Sequence, residues 1–85
     1  MIRSTETKIG DISLGEINKV KDFCNLMASI TEDVSLVSGK YVVDAKSIMG
    51  IFSLDLSKPI TFYLDSKDES VIASITDLVK DFIIK

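Results

Sequence analysis

Hydrophobic and polar positions alternate most cleanly at Ile60, Phe62 and Leu64, with Thr61, Tyr63 and Asp65 between them. A period of two marks a strand with one buried face. Val34-Ser35-Leu36-Val37 and Tyr41-Val42-Val43 read as two further strands around Ser38-Gly39-Lys40, a hairpin with glycine in its turn. Residues 2–9 alternate weakly and are rich in threonine and charge, a solvated strand ending at Gly10. The period then changes to that of a helix in two places. After a loop from Asp11 to Gly15, Ile17, Val20, Cys24, Met27 and Ala28 form an apolar stripe, widened by Phe23, Leu26 and Ile30. Ser13-Leu14-Gly15-Glu16 matches a capping box at the start of that helix, which is expected to run to about Ser29. Ile72, Ile75, Val79 and Phe82 form the second stripe, on a helix expected to reach the C-terminus. Its start is either a capping box from Ser66 to Glu69 or a cap by Asp68. A short helix fits between Ser47 and about Ser53, before the break at Lys58-Pro59. The order is β-α-β-β-α-β-α. It predicts an α+β fold, an open-faced sandwich with a four-stranded antiparallel sheet covered on one face by three helices.

Length and composition narrow the function. Residues 1–85 make one domain, with 46% hydrophobic and 27% charged residues. A net charge of −3 and a single arginine, Arg3, argue against direct nucleic-acid binding and against a guanidinium clamp for phosphate. The lone Cys24 excludes an internal disulfide and sits on the apolar stripe, as a core residue does. No apolar run is long enough to span a membrane, and Arg3, Glu6 and Lys8 break any signal-like start, so a cytoplasmic, membrane-free protein is expected.

Chemistry is narrowed further. The chain has no histidine, which removes imidazole acid–base catalysis, activation of a nucleophile by histidine and histidine metal ligation. One cysteine cannot build a thiolate cage, and the four glycines have no phosphate-loop spacing. Asp65, Asp68 and Glu69 form an acidic cluster, but their spacing is not that of a calcium loop, and helix capping accounts for them better. The expectation is a non-enzyme without metal or cofactor.

One stretch carries a more specific signal. In Asp44-Ala45-Lys46-Ser47-Ile48-Met49-Gly50, Asp44 ends a strand and Ser47 is a helix cap. Gly50 weakens the helix but admits a close backbone neighbour. Lys46 to Gly50 resembles the regulatory-serine motif of the HPr phosphocarrier proteins of the bacterial sugar phosphotransferase system. The resemblance runs without a gap over roughly residues 30–66 and agrees with the element order. It implies the same open-faced fold. It also implies phosphorylation of Ser47 by a serine kinase, and docking through Lys46, Ile48, Met49 and Phe52. The partners implied are the kinase and a sugar-responsive repressor or other regulator, as in the family's catabolite-repression branch, and a monomer is expected.

What the family is named for is missing. Counting back from the serine motif, Glu16 falls at the family's phosphohistidine position, Asn18 at its arginine and Lys19 at its following proline. The resemblance therefore implies a divergent member that lacks histidine phosphotransfer. Glu16 is either the third helical residue of a capping box, a fixed negative charge in place of a phosphoryl group, or an unusual acceptor. For the protein as a whole, a phosphorylation-independent interaction module stands as a third reading beside the regulatory protein and a phosphocarrier using another acceptor.

Overall fold

The computed structural model describes residues 6–84. Its elements run β1 (Thr7–Ile12), α1 (Ile17–Ala28), β2 (Val34–Ser38), β3 (Tyr41–Asp44), α2 (Ile48–Phe52), β4 (Ile60–Leu64) and α3 (Glu69–Leu78). The four strands form one antiparallel sheet in the order β1-β4-β2-β3. The alternation in β4 decides its central place: Ile60, Phe62 and Leu64 are fully buried on one face, and Thr61 and Tyr63 are half-buried on the other. Leu36 lies opposite Phe62 and Val34 opposite Leu64, which extends the apolar face across β2. Val20, Phe23 and Met27 of α1, Ile51 of α2 and Ile75 of α3 close the core over it. This is the open-faced α+β architecture that the pattern predicts.

The hairpin forms as read. Ser38 pairs with Tyr41 across a two-residue turn, and Gly39 supplies its positive φ of 59°. Glycine at the first central position is the type II′ preference, whose twist suits the flanking strands.

Three boundaries move. The first strand does not stop at Gly10; β1 continues to Ile12, through a bulge between Lys8 and Gly10, against β4. The part of the expected strand before Glu6, including Arg3, lies outside the described residues. Ser13 to Glu16 is not a capping box, because Glu16 is itself the N-cap and its side chain makes no cap bond. The Ser13 N–H instead donates to the Phe82 carbonyl at 3.1 Å. The same contact explains the third shift. α3 ends at Leu78, and the chain turns so that Ile83 pairs with Ile12 and Ile84 N–H donates to Asp11 O. Phe82 keeps its place against the core, edge-on to Phe23 at 5.5 Å between ring centres, from a C-terminal strap of turns that follows α3, its N–H donating to the Val79 carbonyl. Lys85 is outside the described residues.

The first helical stripe also rotates. Val20, Phe23, Met27 and Ile30 are buried, Cys24 and Leu26 half-buried, while Ala28 and Ile17 are exposed.

Candidate functional site

Asp44 ends β3 by bending the chain back on itself. Its Oδ1 accepts the Lys46 N–H at 2.8 Å, and its carbonyl accepts the Ser47 N–H at 3.0 Å. Ala45 between them is fully buried and ties the turn to β2 through its N–H and the Val34 carbonyl. Ser47 then stands in extended backbone, φ −100° and ψ 108°, and its Oγ accepts the Gly50 N–H at 3.2 Å. This is the N-cap that the sequence anticipates, satisfying one of the donors a helix start leaves open.

Gly50 matters for space rather than for its dihedral angles. A Cβ there would lie 3.2 Å from the Val43 Cβ and 3.4 Å from Ser47 Oγ, so its absence lets α2 press against β3. One turn of α2 has only Ile51 to bury, and it does so completely. The other three large side chains face out: Ile48 is 42% exposed, Met49 79% and Phe52 45%. Lys46 is exposed beside them, and Ser47 is half-buried.

Glu16, Asn18 and Lys19 are all exposed, at the cap and in the first turn of α1. α1 and α2 pack against each other, so Glu16 and Ser47 cap two neighbouring helices. Glu16 contributes its carbonyl to Val20 N–H, and its carboxylate bonds nothing in the helix end. The reading of Glu16 as the third helical residue of a capping box is therefore corrected: its carboxylate is not tied back.

Ile17, expected on the buried stripe, is 62% exposed. It is an apolar surface residue that periodicity assigned to the core. The available signal was its place at the first helical position, where the chain has not yet reached the sheet.

Asp68 settles the alternatives at the start of α3, its Oδ1 accepting both the Ser70 N–H at 2.9 Å and the Ser70 hydroxyl at 2.8 Å. The Ser70 hydroxyl, then the N–H groups of Ser70 and Val71, hold the Asp68 carboxyl below its usual range. Asp55 is lowered in the same way, by the Ser57 hydroxyl and N–H and then by Lys58. Among the described residues no group of three potential ligands could hold a metal ion, and no helix is long and apolar enough to cross a membrane. Burial pushes the Cys24 thiol up, away from the reactive thiolate.

Neither a scan of protein-family models nor a search of curated proteins gives a match. Among solved structures, the crystal structure of HPr-C-His from Thermoanaerobacter tengcongensis superimposes with a TM-score of 0.64, over 94% of this chain and 92% of that one. The fold is HPr-like. At 18% identity the likeness is one of fold; it agrees with the resemblance carried by Lys46 to Gly50 and adds nothing about individual residues.

Proposed function

We propose that this HPr-like domain is a regulatory protein of a sugar phosphotransferase system. On this reading it works by being phosphorylated on Ser47 and bound by other proteins, and it does not carry phosphoryl groups on histidine. The observation that carries the reading is the combination at α2. A serine in the family's regulatory motif caps a helix whose Ile48, Met49 and Phe52 are turned to solvent. Exposed apolar side chains grouped around a modifiable residue are what a docking surface needs. A phosphate on Ser47 would add about 1.5–2 negative charges beside the Gly50 N–H and the exposed Lys46. A partner would then read charge and apolar surface together.

The absence of histidine from residues 1–85 supports the loss of phosphotransfer. The partner is a serine kinase together with a repressor or other regulator, in the cytoplasm. Nothing in the reading requires this chain to catalyse a reaction.

Treatment with a serine kinase of the family, followed by mass spectrometry, tests it. The phosphate is expected on Ser47, and a pull-down should differ between wild type, Ser47→Ala and Ser47→Asp. Modification mainly at Ser53, Ser66 or Ser70 would leave Ser47 as a helix cap only. Equal capture by all three proteins would favour a phosphorylation-independent module.

A second reading rests on the Glu16 carboxylate, which is exposed and unused by its helix. It makes Glu16 an alternative phosphoryl acceptor. Labelled phosphoenolpyruvate with the system's general enzyme separates the two, since the regulatory reading expects no stoichiometric label.

A further inference from the structure

The two edges of the sheet are treated differently. β1 is partly covered by the C-terminal strap, through Ile83 opposite Ile12 and the bonds of Ser13 and Ile84. Among the described residues no strand lies beyond β3. Along β3 the backbone parity is fixed. Ser38 and Tyr41 flank a two-residue turn, Leu36 is opposite Val43, and Ala45 N–H donates to Val34 O. Residues 41, 43 and 45 therefore bond β2, and Val42 turns its N–H and C=O outward. Tyr41 is 70% exposed and Val42 41%, an unusual pair of apolar residues to leave on an open edge.

We infer that β3 is a pairing edge for a second copy of this chain, joined antiparallel about a two-fold axis at Val42. In a symmetric pair, opposed residue numbers have a constant sum, and here the sum is fixed by chemistry. With Val42 opposite Val42, two reciprocal N–H to C=O bonds form across the axis. Lys40, the turn residue that leads into β3, comes beside the second copy's Asp44 at the end of the paired strands, twice. Tyr41 lies opposite the second copy's Val43 on the helix face, twice. Opposite charges and aromatic–β-branched pairs are the cross-strand combinations that stabilise. Shifting by two residues destroys this. Towards the end of the strand it places Val42 against Asp44 and parts Lys40 from Asp44, and a shift by one residue puts opposed side chains on different faces. The strand is thus self-complementary in one register. This departs from the expected monomer and does not depend on Ser47 or its phosphorylation.

An interface of one short strand per copy is small, so association is expected at roughly 10 µM to 1 mM rather than as a permanent dimer. Sedimentation velocity across that range, with circular dichroism to verify folding, tests it. Wild type should shift from monomer to dimer with concentration. Lys40→Glu sets like charges opposite each other and should raise the dissociation constant roughly tenfold or more, as should Asp44→Lys. The two single variants mixed one to one should pair with each other, because each then meets its opposite charge. Val42→Pro removes the outward N–H without removing a bond to β2, and with its fold verified should also be monomeric. Wild type monomeric at 1 mM overturns the proposal, as does a dimer that Lys40→Glu leaves unchanged. Failure of the mixture to pair overturns the register and with it the inference.

Discussion

A hydroxyl 3.2 Å from one N–H makes Ser47 a helix cap, and substitutions can separate that role from the phosphorylation proposed for it. Ser47→Ala leaves the Gly50 N–H without its acceptor and is expected to cost about 1 kcal/mol. Ser47→Asp keeps an oxygen at the cap and should stay close to wild type. The check is the urea midpoint of the three proteins. A kinase that labels wild type and neither variant would then report chemistry rather than folding. Glu16 behaves differently because its side chain is exposed and bonds nothing in the helix end. Glu16→His should change stability by no more than about 0.5 kcal/mol, as ordinary surface substitutions do. It should nonetheless accept little phosphate from the phosphotransferase general enzyme. Asn18 has no charge, and the exposed Lys19 offers a mobile point charge in place of a guanidinium fork. Removing one preorganised donor costs about 10²–10³ in rate. Adding Asn18→Arg and Lys19→Pro should recover part of the activity. Proline is tolerated at position 19, because the first helical bond of α1 is donated by Val20. Labelling of Glu16→His alone within about tenfold of a true carrier would contradict this estimate of the donors.

Between elements, contacts decide more than propensity. Gly50 lies where α2 meets β3, and a Cβ would stand 3.2 Å from Val43. Gly50→Ala gains up to about 1 kcal/mol of helix propensity and loses part of it pushing Val43 aside. Gly50→Val adds branched bulk at the same spot and should destabilise by about 1–3 kcal/mol, read as a lower urea midpoint. At the start of α3 the test is acid. The Asp68 carboxyl is held below its usual range, so its contribution is complete above the unfolded value of about 3.9 and is lost as the pH falls through the folded value. The stability gap between wild type and Asp68→Ala should be constant near neutrality and shrink below about pH 4. Asp68→Asn keeps the cap and should remove that pH dependence. This cap was one of the two starts the sequence offered, within reach of sequence reasoning because it is local: Asp68 bonds Ser70. The Ser47 cap and the hairpin turn at Gly39 were legible for the same reason. The errors share the opposite cause. Ser13 to Glu16 has the letters of a capping box, yet the Ser13 N–H is taken by Phe82, a residue far along the chain. The last stripe keeps its helical spacing through Phe82, yet the backbone leaves the helix at Leu78 to pair with β1. At Phe82 the spacing places the ring against the core; it does not report what carries it there.

Over the whole molecule, the two halves of the chain meet at Phe23. Its ring is edge-on to Phe62 of β4 at 5.7 Å and 83°, and to Phe82 of the strap at 5.5 Å and 77°. It is fully buried, so α1, the centre of the sheet and the C-terminal strap share one side chain. Phe23→Ala is expected to cost about 3–5 kcal/mol through lost burial and the cavity left behind. The edge-on contacts add about 0.5–1.5 kcal/mol each. A domain of 85 residues has about 4–13 kcal/mol in total, so this one substitution should leave it marginal or unfolded at 25 °C. Phe82→Ala acts on a half-buried ring at the end of the chain and should cost less. It should act chiefly by loosening the strap, which frees the edge of β1. Hydrogen exchange distinguishes the two: Phe82→Ala should speed exchange at Ser13 and Ile84, whose N–H groups join β1 to the strap, and leave β2 and β4 protected. If the strap is a passive tail, Phe82→Ala will leave the Ser13 amide as slow as in wild type. If Phe23 joins the three parts, Phe23→Leu combined with Phe82→Leu will cost less than the sum of the single substitutions, because either one already breaks the shared contact.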